Sequence, residues 1–365
     1  MGRNFRLFAR LGVALTFACA TSLAHADFNR SEVTAIVGDW QKIVTPNGVE
    51  ELLEIPIADT KQWISVRGRD RRNPILLMIH GGPASPEIPS SWAFQNGWED
   101  FFTVVQWDQR GSGKTFLGND PEKVAPTLTL DRITEDAAEV VRYLRSHYQK
   151  DKVFVLGHSW GSLVGLSLAQ RHPEMLYAYV GMGQVVNGRA NEAVSYAQTL
   201  HLAEQAGNTE AVNELKSLAP YPEADGSVAL DKLGTERKWV MFFGGLTYGR
   251  KDWAYYERLF QLSPAYTSAD VAAVDRGSAL SLPRLFPELL RFDYSGVTQW
   301  RCPIILFLGR HDLTTPSTVA AEWFNKIRAP NKKLVWFENS AHMTMVEEPG
   351  RMLVHLVEDV RPLAK

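Results

Sequence analysis

Gly157-His158-Ser159-Trp160-Gly161 stands between an apolar run at 153–156 and a stretch of helical spacing at 162–170. A serine on such a strand-to-helix turn has its hydroxyl thrust outward, and the flanking glycines relieve crowding where strand and helix approach closely. The N-terminus of the following helix favours negative charge developing at that point. A serine hydroxyl is a weak nucleophile at neutral pH and needs an adjacent base. Asp312, in Gly309-Arg310-His311-Asp312, follows the apolar run 304–308. His342, in Asn339-Ser340-Ala341-His342, follows the run 334–337. The chain order serine, acid, histidine suits one working unit. Asp312 would hold one imidazole nitrogen and fix the tautomer, while His342 takes the proton from Ser159. The chemistry expected is acyl transfer through a covalent serine intermediate.

Other residues compete for these roles. His158 adjoins the serine, and its side chain is expected to turn into the packing of the bend. His311 has the same relation to Asp312, and His147, His172 and His355 sit on or at the ends of helices, where structural roles fit better. Glu338 is the rival acid, but it ends its strand too close to His342. His80-Gly81-Gly82-Pro83 follows an apolar run at 74–79. There Gly82 is placed to donate one backbone hydrogen bond to a tetrahedral oxyanion, and Trp160, the residue after the nucleophile, the other. Asp108-Gln109-Arg110-Gly111-Ser112-Gly113-Lys114-Thr115 ends like a phosphate loop, but Asp108 stands where that loop needs its first glycine, so nucleotide binding is excluded. An ion pair between Asp108 and Arg110 is expected to shape this segment. No cluster of His, Cys, Asp and Glu has metal-ligand spacing, and neither metal nor cofactor is expected.

These residues need elements to position them. The runs 49–57 and 63–67, separated by Ala58-Asp59-Thr60, read as a hairpin. Apolar strands at 74–79, 102–107, 153–156 and 176–180 then alternate with helical stretches at 130–147 and 162–170. The rhythm returns with strands at 303–308 and 334–337 and helices at 317–327 and 348–360. Such alternation predicts a mostly parallel central sheet with helices on both faces, and active sites of such sheets lie at the carboxyl ends of the strands. Between 185 and 291 the pattern is helical and rich in aromatics, broken by a turn-rich stretch at 220–226. The organisation expected is a core in two parts, 27–184 and 292–365, with a helical cap at 185–291 inserted between them.

Arg3, Arg6 and Arg10, the apolar run 11–24 and Ala24-His25-Ala26 have the form of a cleavable leader over 1–26. The run is too short to span a bilayer comfortably, so export to the periplasm or beyond is expected, with no membrane span in the mature chain. Of Cys19 and Cys302, only Cys302 would survive cleavage, which rules out an internal disulfide and leaves a packing role. Among 365 residues, 45% hydrophobic and 22% charged, the formal net charge is −2, and loss of the three leader arginines takes it to −5. No basic face for nucleic acid is implied.

HGGP at 80–83, DQRGSGKT at 108–115 and GHSWGS at 157–162, completed by Asp312 and His342, together resemble the proline iminopeptidase group of α/β-hydrolases. The resemblance spans about 47–361, the insertion apart, and implies the α/β-hydrolase fold and removal of N-terminal residues, often proline, from small peptides. One departure is that Ala84 stands where the family pattern HGGPG has its last glycine. The group holds the substrate's free amino group with cap acids, and the resemblance makes Glu204, Glu236, Asp252 and Glu257 the candidates. Three functions stay open: an aminopeptidase on short peptides, a carboxylesterase or lactonase on a small apolar acyl substrate, and a ligand-binding protein without turnover.

Overall fold

A hairpin opens the sheet: β1 (Val49–Ile57) pairs antiparallel with β2 (Thr60–Gly68), Ile57 opposite Thr60 at the turn. Six strands follow, β3 (Ile75–Ile79), β4 (Thr103–Asp108), β5 (Val153–His158), β6 (Leu176–Met182), β7 (Ile304–Gly309) and β8 (Lys332–Phe337). They form one eight-stranded sheet in the order β1-β2-β4-β3-β5-β6-β7-β8, parallel from β4 onward. This computed structural model describes residues 29–364. The expected leader at 1–26 lies outside the described residues.

Strands β3, β4, β5 and β7 are buried at every position. Continuous apolar runs are what a parallel sheet covered on both faces requires. Alternate residues serve opposite faces: Ile75, Leu77 and Ile79 enter one hydrophobic cluster, Leu76 and Met78 the other. The helix Leu130–His147 turns Ile133, Ala137, Val140, Val141 and Leu144 inward as one stripe, and Thr129 caps it by accepting the Arg132 N–H at 3.1 Å. The helix Trp160–Arg171 packs against it and is buried along most of its length.

Between β6 and β7 come five helices, Gly188–Gln205, Thr209–Ser217, Leu230–Phe242, Ala254–Gln261 and Ser268–Arg291. The last carries a capping box made by Thr267 and Asp270. It is tied to the segment after β4 by the Lys114 ammonium, 2.8 Å from the Asp270 carboxylate. Elements at the two ends of the described chain differ from the sequence reading. A helix at Arg30–Trp40, with an Asn29/Glu32 capping box, precedes the hairpin. The expected terminal helix at 348–360 runs as Pro349–His355 followed by a wider turn over Leu356–Val360, and a separate short helix, Thr344–Glu347, precedes it, ended by Pro349, which has no N–H to continue it.

Candidate active site

The strand order reverses about β3: the chain runs from β3 to β4 on one side, then returns to place β5 on the other. Crevices at such switch points, beyond the strands' carboxyl ends, are where ligands bind in open α/β sheets. Ile79 pairs with Gly157, so the loop after β3 (His80-Gly81-Gly82) and the bend after β5 (His158-Ser159) leave the sheet side by side.

Ser159 occupies the bend with φ 54° and ψ −121°, and its N–H donates to the Met182 carbonyl at 3.0 Å. A non-glycine residue in this region carries strain of about 1–3 kcal/mol and persists only where the surroundings over-determine it. The flanking glycines are sterically required. A Cβ on Gly157 would lie 2.4 Å from the Gly161 carbonyl oxygen, and one on Gly161 would lie 2.0 Å from that of Ile79.

His342 and Asp312 arrive from the loops after β8 and β7. The His342 Nδ1 lies 2.8 Å from Asp312 Oδ2. The Thr315 N–H donates to Oδ1 at 2.8 Å and the Thr315 hydroxyl to Oδ2 at 2.9 Å, which fixes the carboxylate plane. An Nδ1–H pointing at Asp312 leaves Nε2 as the basic nitrogen. The loop carrying His342 is set by Glu347, whose carboxylate accepts the Ala341 N–H at 3.0 Å and the Met343 N–H at 2.9 Å. Burial pushes the Glu347 carboxyl up, and these backbone donors oppose the shift. Sequence reasoning missed Glu347 and Thr315. Their signal was spacing alone, Glu347 five residues past His342 and Thr315 three past Asp312, which is the reach of a side chain capping its own loop.

Ser159 and His342 line one cavity of about 380 Å³, together with Gly81, Gly82, Glu87 and Glu257. Gly82 and Ser159 also border a second cavity of about 180 Å³, walled by Phe286 and Leu289 and by Glu192 and Arg237. The serine thus sits at the junction of two spaces. The Gly82 N–H and Trp160 N–H, the expected oxyanion donors, have no intramolecular acceptor among the described residues. The Trp160 indole N–H donates to Gln109 Oε1 at 3.1 Å, and the Gln109 amide in turn donates to the His80 carbonyl at 2.9 Å. Gln109 therefore couples the loops after β3 and β4 to the serine bend. Burial lowers the His80 pKa to about 4, so that imidazole is neutral, with Nδ1 donating to the Gly81 carbonyl at 2.9 Å.

Several expectations change. Asp108 and Arg110 do not pair. Arg110, its side chain wholly buried, donates to Asp136 Oδ2 at 2.8 Å and to Asp59 at 2.9 Å. Asp108 instead accepts the Lys114 N–H at 2.9 Å and the Tyr266 hydroxyl. A buried guanidinium needs a forked, equally buried carboxylate, which Asp136 on the helix Leu130–His147 offers. His158 does not turn away from the site. Its Nε2 lies 3.1 Å from the His342 carbonyl, its ring centroid is 4.7 Å from that of His342, and it lines the larger cavity. Burial, and the neighbouring His342, push its pKa well below the ordinary value, so it is neutral. Glu338 is exposed and bound by both arms of Arg310, at 2.7 and 2.9 Å, away from His342.

Of the acids in the inserted helices, Glu257 alone among the sequence candidates borders the cavity with Ser159 and His342. Glu204 is on an exposed face, 2.9 Å from the Lys216 ammonium. Glu236 is fully buried, accepts the Ser195 hydroxyl at 2.6 Å and pairs with Arg237. Asp252 caps its own turn through the Ala254 N–H at 3.1 Å. Among the described residues no group of three His, Cys, Asp or Glu could hold a metal ion. No helix among the described residues is long and apolar enough to cross a membrane.

The sheet order, the strained serine after β5 and the acid–histidine contact after β7 and β8 define a class, and comparison with known proteins gives it a name. The family described as alpha/beta hydrolase fold matches residues 74–349, and the chain belongs to it. The protein is a hydrolase. It is similar to a probable aminopeptidase, YbaC, of Bacillus subtilis (strain 168), 31% identical over 302 residues, covering 81% of this chain and 92% of the relative. A proline iminopeptidase of Heyndrickxia coagulans is 24% identical over 289 residues, covering 76% of this chain and 87% of the relative. Among solved structures, a proline iminopeptidase-related protein from Thermus thermophilus superposes with a TM-score of 0.59 at 20% identity, covering 87% of this chain and 99% of the other. The last likeness shows the fold alone.

Proposed function

We propose that this hydrolase is an aminopeptidase of the proline iminopeptidase kind, working through an acyl-enzyme on Ser159. His342 Nε2 takes the hydroxyl proton as the oxygen attacks the substrate carbonyl, and Asp312 stabilises the resulting imidazolium through Nδ1–H. The carbonyl oxygen becomes an oxyanion held by the Gly82 and Trp160 amides, whose want of other acceptors suits that task. His342 then protonates the leaving amine, and a water activated by the same nitrogen releases the acyl group. Residues 185–291 act as a cap over the sheet's edge, and Glu257 supplies a carboxylate for the substrate's free amino group. The leader at 1–26 takes the protein out of the cytoplasm.

The observation that carries this reading is the 2.8 Å contact between His342 and Asp312, with that histidine and the strained Ser159 facing one space that also holds carboxylates. The named relatives agree with it in kind. The test is a substrate panel: p-nitroanilides of proline and alanine with free amino groups, the same compounds N-acetylated, and short p-nitrophenyl esters. Cleavage of the free-amine anilides, abolished by Ser159→Ala, is expected. Brisk ester turnover with no anilide cleavage would replace the aminopeptidase reading with an esterase one.

A further inference from the structure

Most buried carboxylates among the described residues have a cation. Asp136 has Arg110 and Arg132, Glu99 has Arg67, Glu192 and Glu236 share Arg237, and Asp270 has Lys114. Glu87 does not. It is only 4% exposed, no Lys, Arg or His lies within salt-bridge reach among the described residues, and its hydrogen-bond donors are neutral. The Ser90 hydroxyl donates to Oε2 at 2.6 Å, and the Tyr256 hydroxyl, from the inserted helix Ala254–Gln261, donates to the same oxygen. Oε1 has no partner among the described residues, and what little of Glu87 is accessible faces the cavity of Ser159 and His342.

A carboxylate taken out of water without a countercharge is costly to keep ionised. Burial accordingly pushes the Glu87 carboxyl up to about 7, against the pull of its two hydroxyl donors. Asp108 is similarly raised and lacks a cation in direct contact with its side chain, but its free oxygen is buried and Asp108 does not line the cavity of Ser159 and His342. Glu347 is satisfied by backbone amides. Glu87 thus combines an unpaired oxygen, a site rigidly held from two sides, and an opening toward the reacting serine.

We propose that Glu87 is a specificity-determining residue that receives the α-ammonium of the substrate, from the sheet side of the cavity, opposite in origin to Glu257 on the inserted helices. The assignment rests on the aminopeptidase reading above. An arriving ammonium supplies the countercharge the folded protein lacks. Its three N–H donors can engage Oε1 of Glu87 while Oε2 stays anchored, so binding needs no rearrangement of the carboxylate. Ser90 and Tyr256 position Glu87, and through Tyr256 the orientation of the carboxylate depends on how the inserted helices sit on the sheet.

The experiment compares alanine p-nitroanilide with propionyl p-nitroanilide, which differ only in the amino group, on the wild type, Glu87→Gln and Tyr256→Phe. A charge-assisted hydrogen bond of this kind corresponds to at least a tenfold effect. In Glu87→Gln the ratio of kcat/KM for the alanine over the propionyl compound is expected to fall tenfold or more, with the loss carried in KM. Tyr256→Phe should lower the same ratio by a smaller factor, since one anchor remains. A wild-type enzyme that prefers the free amine, with that preference intact in folded Glu87→Gln, overturns the assignment while leaving the aminopeptidase reading in place. Equal losses on both substrates in Glu87→Gln overturn it too, by making the role structural. A wild type that cleaves both compounds equally removes the aminopeptidase reading, and this assignment with it.

Discussion

Replacing Gly183 by alanine tests whether the position of His342 governs turnover. Gly183 follows β6 with φ +54°, and a Cβ placed there would lie 2.7 Å from His342 Cε1, 2.9 Å from Nδ1 and 3.2 Å from Thr315 Oγ1. Two costs follow. Alanine in the left-handed region loses about 1–2 kcal/mol. Reaching an ordinary carbon–carbon contact of about 3.5 Å requires the imidazole to retreat by roughly 1 Å. Because Nδ1 itself lies 2.9 Å from the added carbon, that retreat strains its 2.8 Å contact with Asp312. A misplacement of about 1 Å in a reacting group costs on the order of 100-fold in rate. Gly183→Ala should therefore lower kcat about 100-fold with KM changed only a few-fold, and lower the Tm by a few degrees. Steady-state kinetics on the best p-nitroanilide, with circular dichroism to show a folded chain, decides it. A folded Gly183→Ala enzyme with kcat within twofold of wild type would refute the claim that the imidazole at 342 is the base.

Other expectations follow from the buried charges. Asp312→Asn should lower kcat by about 10⁴, since the amide orients the wrong tautomer. Thr315→Val should cost less, because Asp312 keeps the Thr315 backbone donor. Arg110→Ala strips the buried Asp136 of its fully buried cation and leaves the partly exposed Arg132 and the neutral Gln62 amide. A loss of about 3 kcal/mol in urea unfolding is expected. Glu87, with a folded pKa near 7 against an ordinary 4.5, contributes stability that is fully present below the unfolded value and is lost as pH rises through about 7. The loss amounts to about 3 kcal/mol by pH 8. Glu87→Gln, which has no proton to lose, should gain on the wild type between pH 5 and 8 in urea titrations, and a difference that stays flat would contradict the burial argument.

The sequence carried the strands and the serine bend because each depends on local chemistry: apolar runs, glycine spacing, position after a strand. The fold class holds for that reason. What failed was pairing across space. Asp108 and Arg110 are two residues apart and of opposite sign, yet each is satisfied from a distant element, Tyr266 and Asp136 respectively. Nothing local could choose among Glu204, Glu236 and Glu257, since burial, not type, separates an acid that faces the cavity from one spent on Lys216 or Arg237. Glu87 was hidden for the same reason: a single glutamate in a loop carries no sign that it is buried or that its countercharge is missing. The helix Arg30–Trp40 was legible through Asn29 and Glu32, whose capping box lies just past the expected leader.

The central claim is that Ser159 is a nucleophile activated by His342, and covalent labelling tests it most directly. A fluorophosphonate probe followed by intact-protein mass spectrometry should add one adduct per chain, mapped to the peptide containing Ser159. The adduct should be absent in Ser159→Ala and formed far more slowly in His342→Ala. Labelling that persists in Ser159→Ala, or that proceeds at the wild-type rate without the imidazole, would contradict the account.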